Sequence, residues 1–408
     1  MRILVIGAGM MGWPAAFDMA RSERVQSVTL ADKDELKLGQ AVERVNRLAG
    51  GNKVSGVRLD AADSGAALEL MRGHDGVLSA VPYFFNLGLA KAAIRAGSHF
   101  ADLGGNNNVV QQEFKRELQA QAAGIAIAPD CGLSPGMASI LGGELLRRIG
   151  GRADALKIYV GGLPQKPRPP FNYQLVFSVE GLINEYSEPA RILRGGKMIA
   201  IEPLTEVETF RMEGFPELEA FHTSGGTSTL PETFQGQVGE CFEKTLRYPG
   251  HVAMLRTLYD LGLFSNEKRR IEGAMIAPRQ TTACVFEEKF RGDDPEVTLL
   301  RVEAHHEDLV ASFSMIDYTD SQTGMTSMMR TTAWPASIVL QMLVGGEITK
   351  RGGVRQEIDV PAQLFLSEME RRGIRINYRI ASVQEFREET PVVISKDQRS
   401  PAAMAGEN

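Results

Sequence analysis

The sequence predicts an α/β protein in two parts: a doubly wound parallel sheet at the N-terminus, then a second, mixed α+β domain built on an antiparallel sheet. Three observations predict it. Short apolar runs alternate with helix-compatible stretches through the first 130 residues. The first run leads into a glycine-rich turn, Gly7-Ala-Gly9-Met10-Met11-Gly12, and the next strand ends in Asp32. From about residue 155, runs of alternating apolar and polar residues take over, the period of half-buried strands. With 408 residues and 43% hydrophobic content, the chain can fill two cores.

In order, Arg2–Ile6 reads as the first strand, followed by a helix and a second strand, Val28–Asp32. Lys33–Leu48 is helix-compatible. Val57–Asp60 reads as a third strand, Ala66–Arg72 as a short helix and Val77–Ala80 as a fourth strand. Asn86–Ala96 has a helical apolar pattern ended by Gly97. Phe100–Leu103 is a fifth strand, Val110–Ala123 one long polar helix closed by Gly124, and Ile125–Ala128 a sixth strand. Beyond these, Leu156–Gly161, Gln174–Phe177, Ala190–Arg194 and Met198–Ile201 read as strands and turns. Val297–Ala304, Leu309–Ile316 and Thr326–Thr332 read as antiparallel strands. Gly161–Pro170 is a proline-rich surface connection. Ala336–Leu343 is an apolar helix able to return to the first domain. The expected division is 1–130, 131–333, a C-terminal helical segment 334–390, and a polar, disordered tail 391–408.

The opening unit has the parts of a Rossmann dinucleotide site. Gly7 allows a tight turn off the strand, Gly9 lets a pyrophosphate approach the backbone, and Gly12 lets the helix lie close to the sheet. Met10 and Met11 complete the turn, and the helix N-terminus offers free N–H groups to phosphate. Asp32 would accept hydrogen bonds from an adenosine ribose and repel a 2′-phosphate, which selects NAD over NADP; Lys33 beside it softens that repulsion. Asp60, Ala80-Val81-Pro82, Tyr83 and Asn86, and Asp102 to Asn106, fall at carboxyl ends of strands, where such sheets bind ligands. A glycine turn with no nucleotide is the plain alternative.

The formal net charge is −6 with no basic block, which argues against nucleic acid as a partner. No apolar run approaches the roughly 20 residues that span a bilayer, and the start of the chain reads as the first strand rather than a leader. Cys131, Cys241 and Cys284 are far apart and show neither metal-ligand spacing nor a disulfide framework. Neighbouring His305 and His306 on a strand would point to opposite faces. No metal is expected. A cytoplasmic location fits, and an open antiparallel sheet suits a homodimer or homotetramer.

Further stretches carry a resemblance. They are Asp102-Leu-Gly104-Gly105, Pro129-Asp130-Cys131-Gly-Leu-Ser-Pro-Gly-Met137, Tyr159-Val-Gly-Gly162, Leu218 to Thr229 with Phe221-His222-Thr223-Ser224-Gly225-Gly226, Lys244-Thr-Leu-Arg247-Tyr-Pro-Gly-His251, Arg330 to Ala333 and Lys350 to Gly352. With the glycine turn, they resemble the saccharopine dehydrogenase-like oxidoreductases, and within them the L-lysine 6-dehydrogenases. Val81–Phe84 and Asn106–Asn108 depart from the latter pattern. The resemblance implies NAD-dependent oxidation of an amino acid's side-chain amine, with L-lysine oxidised at its ε-carbon to an imine that water converts to a semialdehyde. A saccharopine-type reaction on a secondary amine, or a catalytically silent NAD-binding sensor, are the other readings.

Such a site must remove a proton from an ammonium, hold an α-carboxylate and exclude water. Arg247 suits the carboxylate, since its planar fork matches two oxygens. His251, Lys244 and Asp102 are candidates for the catalytic proton transfers. Asp130 would pair with a substrate ammonium or cap the following helix. Tyr83, Asn86, Gly104, Gly105, Asn106, His222 and Thr223 are the remaining substrate-side candidates. Each has a plain structural alternative: an ion pair for Arg247, a hydrogen-bonded loop histidine for His251 and His222, an exposed lysine for Lys244, and a core tyrosine for Tyr83.

Overall fold

The computed structural model describes residues 1–389. The expected tail, 391–408, lies outside the described residues. The first part runs β1 (Arg2–Ile6), α1 (Gly12–Arg21), β2 (Ser27–Asp32), α2 (Glu35–Ala49), β3 (Val54–Arg58), α3 (Ser64–Met71), β4 (Gly76–Ser79), α4 (Asn86–Ala96), β5 (His99–Asp102), α5 (Asn107–Phe114), α6 (Glu117–Ala122), β6 (Ala126–Ala128) and α7 (Met137–Arg148). The second part runs β7 (Ala153–Pro164), α8 (Val179–Ser187), β8 (Ala190–Arg194), β9 (Lys197–Ile201), β10 (Glu208–Phe210), β11 (Leu218–His222), α9 (Leu230–Thr233) and β12 (Val238–Arg247). It continues through α10 (His251–Asp260), β13 (Arg269–Ile271), β14 (Ala274–Ile276), α11 (Pro278–Phe290), β15 (Glu296–His306) and β16 (Leu309–Tyr318). The chain then forms α12 (Ser327–Gly345), β17 (Gly352–Gly353), α13 (Gln356–Asp359), α14 (Ala362–Arg371), β18 (Asn377–Ser382) and α15 (Val383–Glu389).

The first sheet has seven parallel strands in the order β17-β6-β5-β4-β1-β2-β3. Strand order reverses between β1 and β4, so the loops after these two strands open the crevice where such sheets bind ligands. The second sheet has nine strands along β10-β11-β12-β7-β15-β16-β18, with β8 and β9 branching from β12. Its pairs are antiparallel except β7 with β12, which run parallel.

Several expectations are corrected. Thr326–Thr332 is not a strand: Thr326 accepts a hydrogen bond from the N–H of Met329 and starts α12. Apolar residues on nearly every side of that helix are buried, so the sequence loses its helical period. Gln174–Phe177 forms no strand; Leu175 instead donates to the Phe290 carbonyl. The expected helix Val110–Ala123 divides into α5 and α6. The third strand ends at Arg58 rather than Asp60. Strand β7 takes in Gly161–Pro164, and the segments around Phe221 and Lys244, read as loops, are β11 and β12.

Helix α12 lies on the first sheet. A Cβ on Gly76 of β4 would meet Val344 at 2.7 Å and Leu340 at 2.9 Å, so glycine there permits the close approach. The chain after α12 adds β17 to the edge of the first sheet and then β18 to the second. One apolar core joins α1, α7 and α12 to the facing sides of both sheets, and another fills the opposite side of the first sheet. The loops after β5 and β6 are thereby held against the second part.

Candidate active site between the two sheets

The glycine turn separates structural from functional need. Gly7 has φ 104°, and a Cβ there would meet the Ala80 carbonyl oxygen at 2.6 Å. A Cβ on Gly12 would sit 1.7 Å from the Gly7 carbonyl oxygen. Both are demanded by the protein's own packing. Gly9 is different: the nearest atom to its Cβ position is the end of the Lys37 side chain, at 3.4 Å. The space over Gly9 is one that a Cβ would enter and a pyrophosphate would use. Met10 is exposed, and Met11 precedes α1 with no side-chain cap on its N-terminus. The residues present fit a dinucleotide.

Asp32 ends β2 and braces the turn: its carboxylate accepts from the N–H groups of Ala8 (2.7 Å) and Asp34 (3.0 Å). Arg58 is its register partner on β3. With Lys33, Leu59, Asp60, Asp63 and Ala66, Arg58 lines a cavity of about 430 Å³. Asp60 accepts from the Ala62 N–H at 3.0 Å, a turn contact. Ala80 and Val81 touch Gly7, and Pro82 starts a short 3₁₀ turn that carries Tyr83. Asn86 is buried and accepts from the Ser79 hydroxyl at 2.7 Å, so it anchors the turn rather than facing a ligand. Tyr83 lies against Gly105, its Cβ 3.4 Å from the position a Cβ would take there.

Below this edge sits a layer of buried acids. One Asp102 oxygen accepts from the N–H groups of Gly104 (2.6 Å) and Asp130 (3.3 Å). The carboxyls of Asp102 and Glu113 interact, and burial pushes both pKa values up, Glu113 more strongly, so the pair retains a proton. Burial, then the charge of Asp102, pushes Asp130 up to about 7. Asp130 does not cap α7, whose N-cap is Gly136; it accepts from Ser228 of the second part. Asp102 and Asp130 therefore hold loops together.

Strand alternation sorts the second-domain candidates. Glu243, Thr245 and Arg247 share one face of β12; Phe242, Lys244 and Leu246 share the other. His222 is the register partner of Lys244 and lies on that other face. There Lys244 donates to the Glu206 carbonyl at 2.7 Å and pairs with Glu208 at 3.2 Å. His222 bonds to the Glu206 carboxylate at 3.1 Å. The structure thus removes Lys244 and His222 from the site.

On the first face, the Thr223 hydroxyl bonds to Thr245 (2.7 Å) and to Glu243 (3.1 Å). A Cβ on Gly226 would come within 2.5 Å of the Glu243 side chain, so that loop lies directly on this acid. Burial, then Glu185, pushes Glu243 up to about 8. Arg247 is 2% exposed; its Nε donates to the Tyr186 hydroxyl (3.1 Å) and Nη1 to the Leu246 carbonyl (2.9 Å). Its guanidinium carbon is 4.9 Å from the Tyr173 ring centre. With these two donors engaged, Nη2 is left to a ligand, in place of the free fork expected.

His251 is corrected as a catalytic base. Its Nδ1 bonds to the Phe171 carbonyl and its Nε2 to the Tyr186 hydroxyl, both at 3.0 Å. A carbonyl only accepts, so Nδ1 carries the proton and Nε2 accepts from Tyr186. Burial, then the charge of Arg247, lowers its pKa to about 3, and the ring stays neutral. His251 orients Tyr186, and Tyr186 orients Arg247.

The sequence did not single out Glu185. It lies on α8, buried deeply yet still partly open to solvent. Burial pushes its pKa up to about 7, with Arg247 acting the other way. One turn later, Glu188 receives a long contact from the Asn106 side-chain amide, 3.5 Å. The halves also meet at Ser134–Gly226 and Ser228–Asp130. Tyr83, Gly104, Gly105, Asn106 and Asp130 are thus brought together with Thr223, Arg247 and Glu185. No sequence signal marks a single glutamate on an amphipathic helix.

Fold and site together define a two-domain oxidoreductase class with a dinucleotide crevice in its first domain. Residues 3–127 match the saccharopine dehydrogenase NADP binding domain, and residues 132–374 match the saccharopine dehydrogenase C-terminal domain. The chain belongs to the saccharopine dehydrogenase family of oxidoreductases. It is 26% identical over 296 residues to an alpha-aminoadipic semialdehyde synthase of Arabidopsis thaliana, covering 66% of this chain and 27% of that protein. To a saccharopine dehydrogenase [NADP(+), L-glutamate-forming] of Schizosaccharomyces pombe it is 25% identical over 268 residues, 64% of this chain and 57% of that protein. The chain therefore spans well under two thirds of these relatives. Apo saccharopine dehydrogenase (L-Glu forming) from Saccharomyces cerevisiae superposes with TM-score 0.74 at 18% identity over 93% of this chain and 99% of that one. A homospermidine synthase from Legionella pneumophila in complex with NAD gives 0.66 at 11% identity, covering 93% and 91%. At these identities the likeness is one of fold.

Proposed function

We propose that the chain oxidises the primary side-chain amine of a basic amino acid, L-lysine at its ε-carbon, with NAD as the oxidant. One observation carries the reading: on this face of β12 the cation Arg247 stands among the carboxyls Glu185 and Glu243. Lysine brings one carboxylate and two ammonium groups, which matches that charge pattern. Saccharopine brings three carboxylates, two of which would meet acids.

When bound, the dinucleotide supplies an oxidised nicotinamide that accepts hydride from the carbon bearing nitrogen. The residues do the rest. Nη2 of Arg247 takes a carboxylate oxygen, Glu243 and Glu185 hold ammonium, and Tyr83 with the Gly104-Gly105 turn covers the site against water. Ser228 on Asp130 keeps the halves in register.

A secondary-amine reaction with NADP is the second reading. Lys33 and Arg58 beside Asp32 favour the 2′-phosphate, and the S. pombe relative carries NADP(+) in its name. A panel of amino acids assayed at the reduced-nicotinamide absorbance band, with each coenzyme, tests both. Lysine turnover with ammonia release supports the proposal. Glutamate release from saccharopine replaces it, and silence with coenzyme still bound leaves the sensor reading. A homodimer or homotetramer is proposed for the assembly, because β10 and β18 end the second sheet with open edges among the described residues; sedimentation measures it. Among the described residues, no helix is long and apolar enough to cross a membrane.

A further inference from the structure

We propose that Glu185 is the proton acceptor of the reaction: its carboxylate takes one N–H proton from the substrate's R–CH₂–NH₃⁺. The neutral amine's lone pair then forms the C=N bond while the C–H electron pair leaves as hydride to the oxidised dinucleotide. The products are R–CH=NH₂⁺, a protonated Glu185 and the reduced coenzyme. The inference rests on the amine-oxidation reading and names the residue that reading lacks.

Elimination and geometry support it. Glu243, Asp130, His251 and one oxygen of Asp102 are engaged. Thr223 and Thr245 hydroxyls occupy Glu243. Backbone N–H groups hold one oxygen of Asp102, which lies with its other oxygen unpaired deep beside Glu113, and Ser228 occupies Asp130. Both ring nitrogens of His251 are bonded. The Glu185 carboxylate makes no hydrogen bond among the described residues and keeps contact with solvent. Glu185 sits in the last turn of α8, and Glu188, just past the helix end, meets Asn106 at the cofactor edge. The Ser224 N–H donates to the Glu185 carbonyl at 3.0 Å, which ties this turn of α8 to the loop covering Glu243. Beside it, the Tyr173 hydroxyl, in a residue 7% exposed, also has no partner, while its ring stacks on Arg247. The titratable and charged neighbours are Glu188 just past the end of α8, Glu243 and Arg247 on β12, Tyr173, Arg279 on α11, which bonds to α8 at Asn184, and His251 behind Tyr186. An acid buried near neutrality suits a base that works near pH 7.

The test compares wild type with Glu185→Gln and Glu185→Asp, after checking NADH binding and melting temperature. In Glu185→Gln, kcat/KM for lysine should fall about 10²–10⁴-fold and its acid limb should vanish; Glu185→Asp should keep the limb and recover part of the rate. A second readout is independent of turnover. Calorimetry of lysine binding to the NADH complex at about pH 6.5, in two buffers of different ionisation enthalpy, should show less proton release from Glu185→Gln than from wild type. Glu185→Gln with wild-type turnover and an intact limb, or with the same proton release, overturns the assignment alone. Wild type that binds NADH yet oxidises no amine overturns the functional reading and this inference with it. Should Glu185→Gln fail to fold, a Glu185→Asp enzyme with an unshifted limb at full rate overturns it.

Discussion

The two faces of β12 carry similar residues to different ends. On one, Glu243, Thr245 and Arg247 meet α8 and the loop from Thr223 to Thr229. On the other, Lys244 pairs with Glu208 and donates to the Glu206 carbonyl, and His222 bonds to the Glu206 carboxylate. Lys244 and Arg247 are three apart in sequence and both basic, yet the period of two sends them to opposite sides. The lesson is that a polar residue's partners, more than its type, separate a ligand-ready group from a structural one. Arg247 has Nη2 left over on the site side, and Lys244 is held by Glu206 and Glu208 on the other.

Arg247→Ala should break the site face most. It removes the cation next to Glu185 and Glu243, at a cost of about 2–5 kcal/mol in substrate binding. The loss should fall mainly on KM for the amino acid, with NADH affinity unchanged; a loss confined to coenzyme affinity would contradict the role.

The pH dependence of stability comes next. Glu185 and Asp130 are raised to about 7 and Glu243 to about 8, above their unfolded values. The folded state holds these protons more tightly, so that stabilisation is full below the ordinary carboxylate range and is lost as pH rises through the folded values. His251, lowered to about 3, works in the opposite direction: its contribution is present above about 6.5 and is lost as pH falls. The acids outnumber it, so urea midpoints should decline from about pH 5 to 8. Rising midpoints over that range would show that these acids are ionised in the fold.

On the back face, Lys244→Met should leave kcat and KM near wild type while lowering stability by about 1–3 kcal/mol, because Glu208 loses its partner. A turnover loss as deep as that of Arg247→Ala would erase the distinction between the faces. The smallest effect is expected at the first domain's edge. Asp32→Ala should weaken discrimination against NADP, and Arg58→Ala should strengthen it; equal coenzyme preference in wild type and both variants would remove these side chains from coenzyme choice.

Much of the first domain was legible. Gly7 and Gly12 answer to atoms of their own β-turn-α unit, and Asn86–Ala96, ended by Gly97, has the expected bounds. The departures have physical causes. Thr326–Thr332 alternates like a strand but is a helix buried on most sides. His251 and Lys244 were read from residue type, whereas burial and hydrogen-bond partners decide their chemistry. Glu185 left no mark, because its environment is made by Arg247, 62 positions away, and by the loop around Ser224.

By itself the sequence determined a parallel sheet with a glycine turn and an acid at the second strand's end, because those features need only neighbours within about 30 residues. Tertiary structure alone decided which face of β12 the site occupies, that His251 is neutral and that the Glu185 carboxylate is left without a hydrogen bond among the described residues. Those properties depend on desolvation and on partners supplied by distant strands, and short-range spacing encodes neither.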